Sequence, residues 1–207
     1  MPAMFMVRMA QPSTTGGLRD AILNVALFTI FAMHHSVMAR TGAKRWITRM
    51  VPADLERSVY VWIASLLFLA VCLLWTPLPG VLWRSGGVTT GVLFLMQGAG
   101  VLLTLAAARI VGIWELAGVR QPDPARAIDF RAEGPFAIVR HPIYLGWVLM
   151  VFPTPVMTTS RLLFAVVSTL YLIIAIPLEE ALLVETYGDA YQRYQRQMRW
   201  RLVPYLW

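Results

Sequence analysis

The 207-residue sequence has a single cysteine, Cys72, and only 14% charged residues against 58% hydrophobic ones. One cysteine, set in an apolar run, excludes a disulfide scaffold. So little charge excludes a disordered chain, which needs low hydrophobicity and high charge. It also falls below the roughly 25% charged residues of an ordinary soluble domain. No repeat with a period of roughly 20–50 residues is visible, and there is no low-complexity tract. No small-residue cleavage site follows the first apolar run. His34-His35 and a basic loop follow it instead, so that run is not read as a cleaved signal. What remains is one integral membrane domain over residues 1–207, with residues 1–18 a flexible N-terminus broken by Pro12, Ser13, Gly16 and Gly17.

A helix crosses the hydrocarbon core with roughly 20 apolar residues, within a range of about 17–25. Five runs approach this length, near residues 21–39, 58–75, 88–108, 143–157 and 162–178. The expected fold is an all-α integral membrane protein with about five transmembrane helices. The last two form a helical hairpin through Thr158-Thr159-Ser160-Arg161. Pro77 and Pro79 stop the second helix, and Pro153 and Pro155 kink or end the fourth. Gly188 is a candidate C-cap. Asp189 with Gln192 fits a capping box that starts an amphipathic helix to about Met198.

The formal charge is +7, but the basic residues fall between the apolar runs. They read as loop charge that orients the protein in the bilayer, and nucleic acid is not expected as a partner. One side carries Arg40, Lys44, Arg45, Arg49, Arg57, Arg109, Arg120, Arg126, Arg131, Arg140, Arg193, Arg196, Arg199 and Arg201. The other carries only Arg8, Arg19, Arg84 and Arg161. The positive-inside rule places the richer side in the cytoplasm, with the N-terminus out and the C-terminus in. All acidic residues except Asp20 fall on that side. An active site is therefore expected to face the cytoplasm, of a bacterial inner membrane. No acidic residue sits at mid-membrane, which argues against an ion relay.

Two stretches concentrate polar chemistry there. Arg140-His141-Pro142 opens the fourth helix, where free N–H groups and the positive dipole end favour an anion. A snorkelling Arg and an interfacial His would look the same. Glu179-Glu180 follows the apolar stretch 173–178, and carboxylates beside hydrocarbon need a partner. A ligand cation, a hydroxyl pair, Arg140, Arg120 or plain solvation would serve. Tyr187, Tyr191 and Tyr194 follow at roughly helical spacing and read as an interfacial belt rather than a substrate box. The hairpin brings the two stretches to similar depth. A zwitterion would then bridge them, its carboxylate on the first and its ammonium or ribose on the second.

The ordered set Arg140-His141-Pro142-x-Tyr144-x-Gly146, a membrane hairpin, Glu179-Glu180-x-x-Leu183, Tyr187-Gly188-x-x-Tyr191 and Arg201-Leu202-x-Pro204 resembles the C-terminal half of the isoprenylcysteine carboxyl methyltransferase superfamily. Phospholipid N-methyltransferases belong to the same broad group. The resemblance covers about residues 130–204. It implies S-adenosylmethionine bound at the cytoplasmic membrane face without a soluble Rossmann fold. In keeping with that, no Gly-x-Gly-x-x-Gly follows a strand-like run.

In the N-terminal half, His35-Ser36-Val37-Met38-Ala39-Arg40, Lys44-Arg45-Trp46, Glu56-Arg57-Ser58-x-Tyr60, Pro77-Leu78-Pro79-Gly80-Val81-x-Trp83 and Glu115-Leu116-x-Gly118-Val119-Arg120-Gln121 resemble membrane methanethiol S-methyltransferases. Those enzymes make dimethyl sulfide. In this sequence Glu115 stands where those enzymes carry Asp. Against this resemblance, the family's first membrane helix is expected to be missing here and the loop from Pro122 to Arg131 to be shorter.

The resemblance implies roles. Arg140 and His141 contact the carboxylate end of S-adenosylmethionine, and Tyr144 and Gly146 shape its pocket. Glu180 and Glu179 take the ribose or ammonium. Arg120, with Gln121, closes the site as a catalytic-side residue. No metal is implied. A thiol attacks as thiolate, and a cysteine-like thiol has a pKa of about 8.5, so a base is needed. His35 is the candidate base or acceptor-positioning residue, unless it is a bonded histidine within the bundle. His34 should point to a different face. Glu56 and Arg57 pair with each other or with the loop, Arg201 reaches back to the site or snorkels, and Trp83, Trp147 and Phe152 line an acceptor pocket or face lipid and core. The partners expected are a small thiol or lipophilic acceptor and membrane lipid, with no obligate protein partner.

Overall fold

The computed structural model describes residues 9, 16–38, 48, 51–52, 55–120 and 132–207. In chain order its elements are α1 (Leu18–Met38), α2 (Glu56–Leu74), β1 (Val81–Arg84), α3 (Gly87–Val111), α4 (Ile113–Leu116), α5 (Pro142–Val151), β2 (Val156–Thr158), α6 (Thr159–Tyr187) and α7 (Asp189–Gln197). A single 3-10 turn, Gly134–Ala137, precedes α5. The Arg40 and Lys44-Arg45-Trp46 motif residues, Gln121 and the loop from Pro122 to Arg131 lie outside the described residues.

Among the described residues four helices, α1, α2, α3 and α6, are long and apolar enough to cross a membrane. At 1.5 Å per residue each reaches about 28 Å or more, the thickness of a hydrocarbon core. Large apolar side chains stay exposed along them, Leu66, Leu95, Leu102 and Ile174 among them. That is the surface expected where the surrounding solvent is itself apolar.

The fourth expected span is shorter than its hydrophobic run. Helix α5 holds only 10 residues and stops at Val151. Pro153 and Pro155 cannot donate the backbone bonds that would continue it. The chain turns instead into β2, which pairs antiparallel with β1 through Val81↔Thr158, Trp83↔Met157 and Arg84↔Val156. The backbone around the ribbon finds its partners within the protein. Here Ser85 N–H donates to Pro155 O at 2.8 Å, and Trp83 Nε1 to Thr154 O at 3.0 Å. Arg161 Nη1 donates to Val156 O at 2.6 Å. The small ribbon was not visible in the sequence. Two prolines and a bulged register erase the alternation that marks a strand.

Helix α6 runs on past the expected end at Leu178 to Tyr187, through the internal Pro177. A membrane helix tolerates such a proline when neighbours re-satisfy the freed carbonyl. Gly188, at φ 51°, ends the helix as expected. The capping box does not form: Gly188, not Asp189, is the N-cap of α7, and no side-chain cap bond is made.

Helices α3 and α5 touch backbone to backbone. A Cβ on Gly100 would meet Gly146 O at 2.7 Å and Leu149 Cβ at 2.9 Å. A Cβ on Gly146 would meet Gly100 O at 2.7 Å and clash with Thr104 Oγ1. Small residues at the crossing are what permit this approach.

The core joins α1, α2, α5 and α6 through Phe28, Ala32, Val71, Trp75, Val151, Phe164 and Ala165, with Met9 buried among them. Met9 falls in the stretch expected to be loose, yet its carbonyl accepts from Thr158 Oγ1. Buried Asn24 makes a reciprocal pair with Thr76, Nδ2 to O at 2.8 Å and N–H to Oδ1 at 2.9 Å. Trp147 and Trp83 are anchors. Trp147 Nε1 donates to Ser168 Oγ at 2.9 Å, joining α5 to α6.

Candidate active site

One set of polar residues gathers where the end of α1, the start of α2, the start of α5 and the end of α6 meet. Tyr60 at the start of α2 bonds His35 at the end of α1. Arg57 Nε donates to Glu115 O at 2.8 Å, tying α2 to the segment after α3. Ser36 on α1 bonds Tyr171 on α6 at 3.2 Å. Tyr144, in the first turn of α5, donates to Glu179 Oε2 near the end of α6 at 2.8 Å. The sequence expectation that Arg140-His141 and Glu179-Glu180 share a depth is met by direct contact.

Glu180 is the centre. It is 4% exposed. Arg140 grips it with Nε on Oε1 at 2.6 Å and Nη2 on Oε2 at 3.2 Å. His141 Nε2 lies 3.2 Å from Oε1, Arg201 Nε 3.3 Å from Oε2, and Gln195 Nε2 3.5 Å from Oε2. The bidentate fork is the strongest geometry for this pair of groups. It is the partner that a carboxylate beside hydrocarbon requires.

Arg140 is occupied on its other side as well. Nη1 donates to Met198 O at 2.8 Å and Arg199 O at 3.1 Å. Backbone bonds from Arg140 N–H to Trp200 O and from His141 N–H to Arg201 O fasten the same C-terminal segment. Just before that segment, α7 and the residue after it pack Tyr191, Tyr194 and Met198 against Phe136, Leu183 and Val184. Tyr194 Oη donates to Phe136 O at 3.0 Å. Tyr191 and Tyr194 are therefore buried packing residues, not an exposed belt. Burial pushes both phenol pKa values well above the ordinary tyrosine value.

The remaining expected residues separate clearly. Glu179 is 45% exposed, and among the described residues only its Oε2 is engaged, by Tyr144 and, at 3.7 Å, by His141 Nδ1. Arg201 is 36% exposed and also lies over the Trp207 ring at 5.4 Å. So Arg201 does reach back to the site. Arg120 is exposed and makes no ion pair with the Glu180 network. Gly146 is buried in the α3–α5 crossing rather than beside the carboxylates. His34 does not point to a separate face: its ring and that of His35 both lie against Tyr60, at 6.0 and 5.6 Å. Tyr171, which Ser36 bonds, carries no signal in the sequence, because nothing distinguishes a lone tyrosine in an apolar run from core. Among the described residues no group of three metal-ligating side chains occurs.

Glu179 and Arg201 are the partly exposed charged groups beside the pair, one able to accept from an ammonium or hydroxyl pair and the other to donate to a carboxylate. Arg140 and His141 are held by Glu180 and set the positions of both. A buried Arg–Glu pair with two partly exposed charged neighbours thus sits where the start of α5 meets the end of α6.

The chain is an integral membrane methyltransferase, and residues 88–190 match the family model described as phospholipid methyltransferase. It belongs to the methanethiol S-methyltransferase family. It is 35% identical to the methanethiol S-methyltransferase of Crocosphaera subtropica, over 89% of this chain and 75% of that one. It is 37% identical to methanethiol S-methyltransferase 2 of Bradyrhizobium diazoefficiens, over 91% and 75%. It is 39% identical to the Mycobacterium tuberculosis enzyme of that name, over 86% and 75%. No solved structure matches the chain. A methyltransferase of this family takes its methyl group from a donor, which the site must hold.

Proposed function

We propose that the protein methylates a small thiol, methanethiol to dimethyl sulfide, using S-adenosylmethionine at the cytoplasmic face of the membrane. The observation that carries this reading is the pairing of Glu180 with Arg140 beside the open Glu179 and Arg201. The names of the relatives supply the acceptor. The excess of Lys and Arg at the site end supplies the orientation.

Bound S-adenosylmethionine would supply an electrophilic methyl on a sulfonium. The protein's own work is alignment and exclusion of water. Glu179 receives the ammonium or ribose hydroxyls, and Arg201 the carboxylate. Arg140, His141 and Glu180 form the rigid support beneath them. Tyr144 fixes the Glu179 carboxylate and stacks on His141 with ring centroids 5.4 Å apart. His35, on the α1 side, accepts the thiol proton.

The phospholipid methyltransferase match favours a lipid amine as a second acceptor class. An assay of purified protein with labelled donor separates them. Label in a volatile sulfide supports the thiol, and label in the lipid phase supports the amine.

A further inference from the structure

Tyr60 makes two contacts that constrain each other. Its hydroxyl lies 3.0 Å from His35 Nδ1 and 3.1 Å from the His35 carbonyl oxygen. A carbonyl oxygen only accepts, and a phenol carries one proton. The Tyr60 hydroxyl therefore donates to the carbonyl, and its lone pair is left to face Nδ1. The ring nitrogen completes the pair by donating its own N–H. Among the described residues the His35 side chain has no other hydrogen-bond partner. Its ring is wedged by Phe31 at 5.8 Å and Tyr171 at 6.4 Å. The ionisable groups around this pair are His34 on α1, Glu56 and Arg57 on α2, and Tyr171 and Glu179 on α6.

We propose that Tyr60 is a positioning residue that holds neutral His35 as the Nδ1–H tautomer, leaving Nε2 as the atom that takes the thiol proton. The hydrogen bond on one ring nitrogen sets the chemistry of the other. This rests on the thiol reading of the site and names its proton acceptor to the atom. The step balances. The acceptor S–H bond breaks and its proton passes to His35 Nε2. The thiolate electron pair forms the new S–CH3 bond as the donor's sulfonium S–CH3 bond breaks, its electron pair staying on the donor sulfur. Two neutral thioethers result, and the imidazolium returns its proton to solvent. Neither His34 nor Arg120 has a comparable arrangement of polar contacts.

The test is the protonation pattern of His35 in the full-length detergent-purified protein labelled with nitrogen-15 histidine. The chain has only 3 histidines, and a His35→Gln spectrum assigns the resonances by their loss. The expected wild-type result is a protonated Nδ1 and an unprotonated Nε2. Tyr60→Phe should shift the ring toward the Nε2–H form. It should also lower kcat by at least about tenfold, the low end of what a general base contributes being near a hundredfold, with the donor KM unchanged. On a His35→Ala background Tyr60→Phe should cost nothing further, since the two act as a unit. A wild-type ring protonated on Nε2 overturns the proposal, as does a Tyr60→Phe protein with unchanged tautomer and kcat. If Tyr60→Phe does not fold, the wild-type spectrum decides alone. A wild-type protein with the Nδ1–H tautomer but no methyl transfer to methanethiol overturns the base role together with the thiol reading.

Discussion

Arg140 and Glu180 share a two-pronged ion pair, Nε to Oε1 at 2.6 Å and Nη2 to Oε2 at 3.2 Å, with side chains only 7% and 5% exposed. The pair divides the polar residues into those that hold and those that are held open. Four N–H···O contacts of Arg140 are engaged within the protein. Its adjacent carboxylate, Glu179, keeps one oxygen without a partner among the described residues. Neighbouring glutamates thus take opposite roles because a helix points consecutive side chains about 100° apart.

Glu180→Gln and Glu179→Gln should therefore differ in kind. Removing the Glu180 charge leaves Arg140 buried and uncompensated, at a cost of about 3–5 kcal/mol. Thermal unfolding in detergent should show this as a large loss of Tm. Glu179→Gln should leave Tm within a few degrees. It should weaken S-adenosylmethionine binding by about 10- to 100-fold, the worth of roughly 1.5–3 kcal/mol for a hydrogen bond to a charged group. Calorimetry of donor binding checks it.

His35→Ala should separate binding from turnover. The residue lies on α1, bonded to Tyr60 and not to the Glu180 network. Donor affinity should stay within about twofold, while kcat for methanethiol falls by about 100-fold or more. Loss of donor binding with intact turnover per bound donor would reverse the assignment.

Gly146→Ala tests the helix crossing. The new Cβ would lie 2.7 Å from Gly100 O. Overpacking of this kind costs about 1–3 kcal/mol. A lower Tm with weakened donor binding is expected, because α5 carries His141 and Tyr144 into the site. Since the clash includes backbone, Thr104→Ala should recover only part of the loss.

Alkaline pH should loosen the C-terminal segment. The Tyr191 and Tyr194 pKa values are raised, first by burial and, for both, further by Glu180, with Arg140 opposing. The unfolded chain ionises first, near the ordinary tyrosine pKa of about 10. The stability these phenols confer is therefore complete below that pH and falls as pH rises above it. Tm measured on either side of pH 10 should drop more steeply in wild type than in Tyr194→Phe, which also loses about 1 kcal/mol at neutral pH with its bond to Phe136.

The apolar runs made the four long helices legible, and Pro153 and Pro155 announced the end of the short one. The pairing of Arg140 with Glu180 was one of several partners that charge near hydrocarbon allowed, and only the fold chose it. Gly146 carried no sign of its place. A glycine beside a motif reads equally as pocket or as helix contact until its neighbour across the crossing, Gly100, is known. The spacing of Tyr191 and Tyr194 alone reads as an interfacial belt. Their burial depends on the chain returning through Met198 and Trp200, which no local pattern encodes. The β1–β2 ribbon was invisible for the same reason, its partners lying more than 70 residues apart.

The most direct measurement is methyl transfer by the purified full-length protein, with methyl-labelled S-adenosylmethionine and methanethiol in a sealed vessel and label counted in the headspace. Labelled dimethyl sulfide from wild type, and far less from Glu179→Gln and His35→Ala, is the predicted result. Intact donor binding with no volatile label, whatever the methanethiol concentration, would contradict a small thiol as the acceptor.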